Sequence, residues 1–168
     1  FFTFVFLLIF FKEMSQKLSF SEAQKKLEYF CAYQERCHQE VVQKCYDLGL
    51  LSIEIDEVMV HLIQNNYLNE ERFARSFARG KFRIKFWGKT RIVNELQARK
   101  IASPNIKLAL TEIDEDEYEQ AFNTLSERHW NSILEKNTLK KRKKFCDYLL
   151  RKGLESEMIY SKVKELEK

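Results

Sequence analysis

Glycine and proline are almost missing from this chain of 168 residues, which holds four of the first and one of the second. A β-rich domain needs many tight turns, and these two residues supply most of the backbone angles that turns demand. Their scarcity excludes a sandwich or barrel. It implies a nearly all-helical chain, well above the roughly one-third helix of an average protein. It also leaves no phosphate-cradling G-x-x-x-x-G-K-[ST] loop. The four cysteines, Cys31, Cys37, Cys45 and Cys146, include no C-x-x-C pair. Adjacent Cys37 and His38 would point in different directions on a helix, so no metal site is expected, and the thiols read as buried groups in a reducing compartment. His38, His61 and His129 lie in unrelated segments, and Asp56 precedes His61 at a spacing that does not face it on a helix. No catalytic residues and no cofactor are expected, and the chain reads as a non-enzyme.

Long apolar runs are absent too, save one. Phe1 to Phe11 is broken only by Thr3, but it is short of the ~20 residues that span a bilayer. It lacks the basic flank and small-residue cleavage site of a signal peptide. Residues 1–19 are therefore expected to be a non-native or disordered leader, with Met14 the true start. Residues 1–13 are set apart from the fold, and no membrane association is expected.

What the chain does have is a pattern that occurs three times. Its anchors are Leu50, Ile101 and Leu154, 51 and 53 residues apart. Nine positions earlier stand Val41, Ile92 and Phe145; five earlier, Cys45, Leu96 and Leu149; five later, Ile55, Ile106 and Ile159. Two after each anchor comes a serine, Ser52, Ser103 or Ser156, placed to cap a following helix. Pro104 follows Ser103, as suits a helix start. Gly49 and Gly153 precede the outer anchors, where a helix end can use a left-handed residue. Apolar spacing on both sides of the break is helical. The expected architecture is all-α: tandem three-helix repeats over 20–66, 67–113 and 114–168, forming an elongated, curved array. Helices are expected near 21–37, 38–48 and 53–65; 70–86, 89–99 and 104–113; 115–134, 138–152 and 157–167. Asn69 is placed to cap the fourth of these.

The net charge of +4 is mild, but its distribution is not. Residues 72–100 carry ten Lys/Arg against the single acid Glu95, a local +9, which leaves about −5 for the rest. On a helix over 70–86, Phe73, Phe77, Gly80 and Ile84 form an apolar stripe. Arg72, Arg75, Arg79 and Arg83 form a second stripe, with Lys81 and Lys85 on its far flank and Lys89 and Arg91 nearby. Phe82 and Phe86 fall inside or beside the arginine stripe, which the packing of this helix alone does not explain. Those eight cations are the candidate partner-binding residues, and arginines interleaved with aromatics suit an acidic protein groove or a phosphate backbone. Residues 112–119 read as a solvated acidic turn, and 140–144 as a second basic run.

Residues 67–101 contain Tyr67-Leu68-Asn69-Glu70-Glu71-Arg72-Phe73-Ala74-Arg75-Ser76-Phe77, then Arg79, Trp87-Gly88-Lys89-Thr90-Arg91-Ile92, Glu95-Leu96 and Lys100-Ile101. This resembles the central signature of the RecX family, bacterial regulators of the RecA recombinase. Lys89 stands where that family usually carries proline, and Ala102 follows the anchor differently. The resemblance implies a cytoplasmic, monomeric protein that binds the RecA filament. There it modulates, mainly by inhibition, ATPase, strand-exchange and co-protease activities, and DNA within the filament is a second candidate contact. The residues alone leave two other readings: a direct nucleic-acid-binding helical module, and a structural adaptor.

Overall fold

A computed structural model describes residues 18–168; the leader reading lies outside them except at Leu18 and Ser19, and Ser19 caps the first helix. Among the described residues there are nine helices and no strand. None of these helices is long and apolar enough to cross a membrane. They are α1 (Phe20–Tyr33), α2 (His38–Asp47), α3 (Ser52–Gln64), α4 (Glu70–Lys85), α5 (Lys89–Ala98), α6 (Ser103–Leu110), α7 (Glu115–Ser132), α8 (Thr138–Lys152) and α9 (Ser156–Leu166). The first three lie in one compact unit ending at Asn69, and the other six in a second. The expected helix over 21–37 stops early, because Gln34 turns to extended backbone (φ −156°, ψ 141°).

The three-copy pattern is a burial pattern. Val41, Ile92 and Phe145 are fully buried, as are Cys45, Leu96 and Leu149; the anchors and the isoleucines five residues after them are buried as well. One backbone bond recurs at each break. The Leu50, Ile101 and Leu154 N–H groups donate to the carbonyls of Cys45, Leu96 and Leu149, at 3.1, 3.1 and 3.2 Å. That closure needs a left-handed residue just before the anchor. Gly49 (φ 81°) and Gly153 (φ 79°) supply it in the outer copies, and Lys100 (φ 58°) in the middle one.

The serines do not cap. Ser52, Ser103 and Ser156 are the first helical residues of α3, α6 and α9. The capping positions belong to Leu51, Ala102 and Glu155, which have extended backbones and no side-chain cap bond. Once the anchor is turned inward, the next residue must be extended to redirect the chain and takes the capping position, so each helix begins one place earlier than expected. In the first copy the Glu54 carboxylate accepts from the Leu51 N–H at 2.7 Å instead. Side-chain caps do occur elsewhere, from Ser19, Asp114 and Asn137.

In the first unit, Ala23, Leu27 and Cys31 of α1 pack with Val41 and Cys45 of α2 and with Ile55, Val58 and Leu62 of α3. In the second unit α4 packs most extensively against α6. Both helices bury alanines completely, Ala74 and Ala78 on α4 and Ala109 on α6, and a methyl side chain lets backbones come close. Further along, Trp130 meets Phe145 edge-on at 5.3 Å. His129 stacks on Tyr148 at 3.9 Å.

Two outcomes test this packing. Lys100→Gly should stabilise the protein by about 0.5–1 kcal/mol, because a left-handed backbone strains any residue with a Cβ; urea denaturation measures it, and a loss of stability refutes the turn. The second concerns His129, whose imidazole is pushed below its ordinary range by burial, with Arg151 adding to the effect. A histidine lowered in the folded state binds fewer protons than the unfolded chain, so stability should fall as pH drops below about 6.5. Melting of the wild type and His129→Gln across pH 5 to 8 should show the wild-type advantage shrinking toward acid pH.

Candidate partner-binding face

The α4 sequence gives it a wider core face than a single stripe. Its buried residues are Phe73, Ala74, Ala78 and Phe82. Phe77 is half-buried, while Ile84, expected in the core, is 72% exposed near the helix end. At about 100° per residue, Phe82 lies beside Arg75 and Arg79 on the helix surface. It is buried because α7 covers it, with the Phe82 and Tyr118 rings 5.7 Å apart. That contact explains an aromatic beside the arginine face. It also brings the acidic segment before and within α7 onto the same face.

The arginine stripe is therefore not unneutralised. Glu112 receives Arg75 and Arg79 on its two oxygens, each at 2.6 Å. Arg75 also holds Glu71 at 2.8 Å. Arg83 reaches Glu117 at 3.4 Å, and Lys89 reaches Glu115 at 2.6 Å. Hydrogen bonds from Arg79 and Arg75 hold the Glu112 carboxyl below its usual range. Glu112 stands 33 and 37 residues from these arginines, so no local helical pattern reveals the pairing. The residues read as a solvated acidic turn are a clamp on the basic helix. Arg72 is half-buried on the same helix.

The other cations are held differently. Trp87 follows Phe86, whose left-handed backbone (φ 53°) folds the chain back after α4. The Trp87 ring carries Arg91 at 4.0 Å and Lys81 at 5.0 Å. Lys81 also lies over Phe77 at 5.1 Å, which Arg99 approaches from 5.0 Å. Beyond Trp87, the second and third repeats touch backbone to backbone. The Gly88 N–H donates to the Lys152 carbonyl at 2.8 Å, and a Cβ on Gly88 would fall 2.1 Å from the Gly153 oxygen. A Cβ on Gly153 would fall 2.5 Å from the Arg91 nitrogen. Only glycines permit this approach. Around it, Arg91 donates to the Arg151 carbonyl at 2.9 Å, and the Lys152 ammonium to the Lys85 carbonyl at 2.8 Å.

These bonds gather Lys85, Arg91 and Lys152 from both repeats without neutralising any of them. None of Lys81, Lys85, Arg91 and Lys152 takes part in an ion pair among the described residues. Burial, then the charges of Arg91 and Lys85, push the Lys152 ammonium down. Tyr118 completes the junction: its hydroxyl accepts from the Lys89 N–H at 3.1 Å and donates to Glu155 at 2.7 Å. Burial and that carboxylate push the phenol well above its ordinary range. Seven of the eight expected site residues, all but the half-buried Arg72, thus divide. Arg75, Arg79, Arg83 and Lys89 are clamped by acids, and Lys81, Lys85 and Arg91 keep their charge. Lys152, on another repeat, joins them as a candidate that the sequence pattern does not mark, and only Gly153 beside it carries a signal. No group of His, Cys, Asp or Glu among the described residues is placed to hold a metal ion.

The profile described as "RecX, second three-helix domain" matches residues 69–110, the span of α4 to α6. The Regulatory protein RecX of Geobacillus thermodenitrificans (strain NG80-2) is 25% identical over 138 residues, 82% of this chain and 51% of that protein. That of Lactobacillus johnsonii (strain CNCM I-12250 / La1 / NCC 533) is 28% identical over 92 residues, 55% of this chain and 34% of that one. Over these spans the chain is similar to RecX proteins. The crystal structure of RecX from Lactobacillus salivarius has the same fold, with a TM-score of 0.72 at 24% identity over 88% of this chain and 96% of that one. A second crystal structure, of a regulatory protein RecX, gives 0.73 at 18% identity over 86% and 74%. The chain spans about half the length, or less, of these two curated RecX relatives.

The Gly88–Gly153 contact makes a sharp prediction. Gly88→Ala should destabilise the second unit by about 1–3 kcal/mol, since the added methyl meets backbone that cannot rotate away. Unchanged thermal melting of Gly88→Ala would show that the two repeats do not meet here.

Proposed function

We propose that the chain is a non-enzymatic regulatory protein of the cytoplasm, acting as a monomer. Its partner is the RecA filament, and it mainly inhibits that filament's ATPase, strand-exchange and co-protease activities. Similarity to RecX proteins supports the regulatory role. The observation that carries the site is the convergence of Lys81, Lys85, Arg91 and Lys152 around Trp87, with no carboxylate paired to any of them. Charge fixed by carbonyls and rings still projects outward, whereas Arg75 and Arg79 are largely cancelled by Glu112. A cationic surface of this kind meets an acidic groove, and like-charge reversal at such an interface costs several kcal/mol. Of the three three-helix repeats, 20–66, 67–113 and 114–168, the second and third, joined at Gly88, supply this surface.

The test is a RecA ATPase and strand-exchange assay with and without the protein. Lys81→Glu combined with Lys85→Glu should relieve inhibition by at least about tenfold in the concentration required, while melting stays within about ±0.5 kcal/mol of wild type, as for exposed or half-exposed charges. Arg75→Glu with Arg79→Glu should instead destabilise, because both would face Glu112. Phe73→Ala, at a buried position, should cost about 3–5 kcal/mol. Full inhibition by the folded lysine variant would remove this face from the interface.

A further inference from the structure

The first unit carries a surface that neither the basic helix nor the RecA reading uses. On α1, Tyr29 is 71% exposed and Tyr33 75% exposed, one helical turn apart. Their rings lie near-parallel, 25° between planes with centroids 6.3 Å apart. Together with Lys25, Lys26, Phe30 and Lys44 they line an open groove of about 460 Å³. That is within the ~300–1,000 Å³ typical of ligand-sized clefts. No lining residue is acidic. Glu22, one turn before Lys25 and Lys26 on α1, is turned back onto the Ser19 hydroxyl and N–H at 2.6 and 3.0 Å. At the groove floor the Phe30 ring lies under the Arg36 guanidinium at 4.0 Å and the Lys44 ammonium at 6.0 Å. Lys25, Lys26 and Lys44 make no ion pair among the described residues.

Two exposed aromatic rings on one face offer flat surfaces on which a planar group can stack. The ligand must therefore offer flat faces to the tyrosines and negative charge to the three lysines. A duplex hides its base faces inside the stack and offers only edges and phosphates. An unpaired strand offers both, one base face per nucleotide with a phosphate beside it. An acidic peptide would satisfy the lysines and leave the ring faces unused. We propose that this groove seats a single strand of nucleic acid, with Tyr29 and Tyr33 stacking on bases and Lys25, Lys26 and Lys44 holding the backbone. The basic helix and the lysine run of α8 are poorer seats. Their cations are spent in part on Glu112, Glu115 and Glu117, and on Glu135 and Glu167.

The experiment is fluorescence anisotropy of a labelled oligothymidylate of about 20 nucleotides, long enough to cover a site of 4–16, titrated with the full chain and no RecA. Tyr29→Ala with Tyr33→Ala should weaken binding by about tenfold or more, whereas Tyr29→Phe with Tyr33→Phe should stay within about twofold, since the rings suffice. Lys25→Glu with Lys26→Glu should weaken binding and reduce the slope of log affinity against log salt by roughly 1.4, about 0.7 for each lost cation. Lys140→Glu with Lys143→Glu, exposed on α8, should bind as wild type. Titration with an oligouridylate identifies whether DNA or RNA is preferred, since stacking serves both. The proposal is overturned if the tyrosine-to-alanine variant binds as wild type, or if the strand does not bind. It is equally overturned if duplex or polyglutamate competes as well as the unpaired strand, or if only the α8 reversal abolishes binding. None of these outcomes bears on the RecA reading, which rests on residues of the second unit.

Discussion

The turn that closes the second helix of each repeat governs the path of the chain beyond it. An anchor N–H bonds the carbonyl five residues back, and the residue just before the anchor must turn left-handed. The anchor side chain then points into the core, the next residue is forced to extend, and the third helix starts at the serine. In the third copy the same constraint acts between repeats. Gly153 is left-handed to close α8 and lacks a Cβ, and that bare backbone is the surface on which Gly88 and Arg91 lie. Gly88 in turn starts α5 and fixes the departure of Trp87. One backbone requirement therefore sets the core, the junction of two repeats and the platform beneath the cations.

Charge in the basic segment is governed by the partner each cation meets. A carboxylate cancels charge, so Glu112 between Arg75 and Arg79 removes most of their outward field. A carbonyl or an aromatic face fixes a cation and leaves its charge intact, which is the case for Arg91 on Trp87 and Arg151. The repulsion this leaves is visible at Lys152, whose ammonium is lowered by burial and by Arg91 and Lys85. A cluster of like charges held by neutral groups is unfavourable alone, and an anionic partner relieves it. That is why the proposed interface lies around Trp87 and not on the four-arginine stripe.

Most of the fold is legible in the sequence because it is local. Val41, Cys45, Leu50 and Ile55, with their counterparts in the other copies, keep the helical spacing that any buried face must show. Cap preference places the serines one position off, since burial of the anchor, not the cap, decides where the chain straightens. Ile84 departs from its expected burial because a wheel gives the direction of a side chain but not whether a neighbour reaches that far along the helix. Phe82 does announce a second packing surface, and α7 provides it. The acids that clamp the arginines are visible as a run, yet the pairing of Glu112 spans 33 and 37 residues and depends on how α7 lies over α4. Tyr29 and Tyr33 give no signal, because exposed and buried tyrosines look alike until the core is drawn.

Among the described residues three non-glycines take a left-handed backbone, Asn66, Phe86 and Lys100, and Phe86 is the bulkiest of them. Its left-handed backbone is imposed by the same kind of closure, with its N–H on the Phe82 carbonyl at 2.9 Å and the Trp87 N–H on the Lys81 carbonyl at 3.2 Å. Glycine would adopt that backbone with less strain, as Gly49 and Gly153 do at their own turns. A bulky residue there is a genuine outlier, and such outliers concentrate where function needs the side chain. The Phe86 ring, 45% exposed, lines a small apolar cleft with Phe82, Trp87 and Tyr118. It also sits between Lys85 and the Trp87 cations in sequence. An apolar ring beside uncancelled charge gives an interface both contact area and direction, which charge alone does not supply. The left-handed Phe86 and the like charges around Lys152 fall on the same stretch of surface, the one proposed here for the partner.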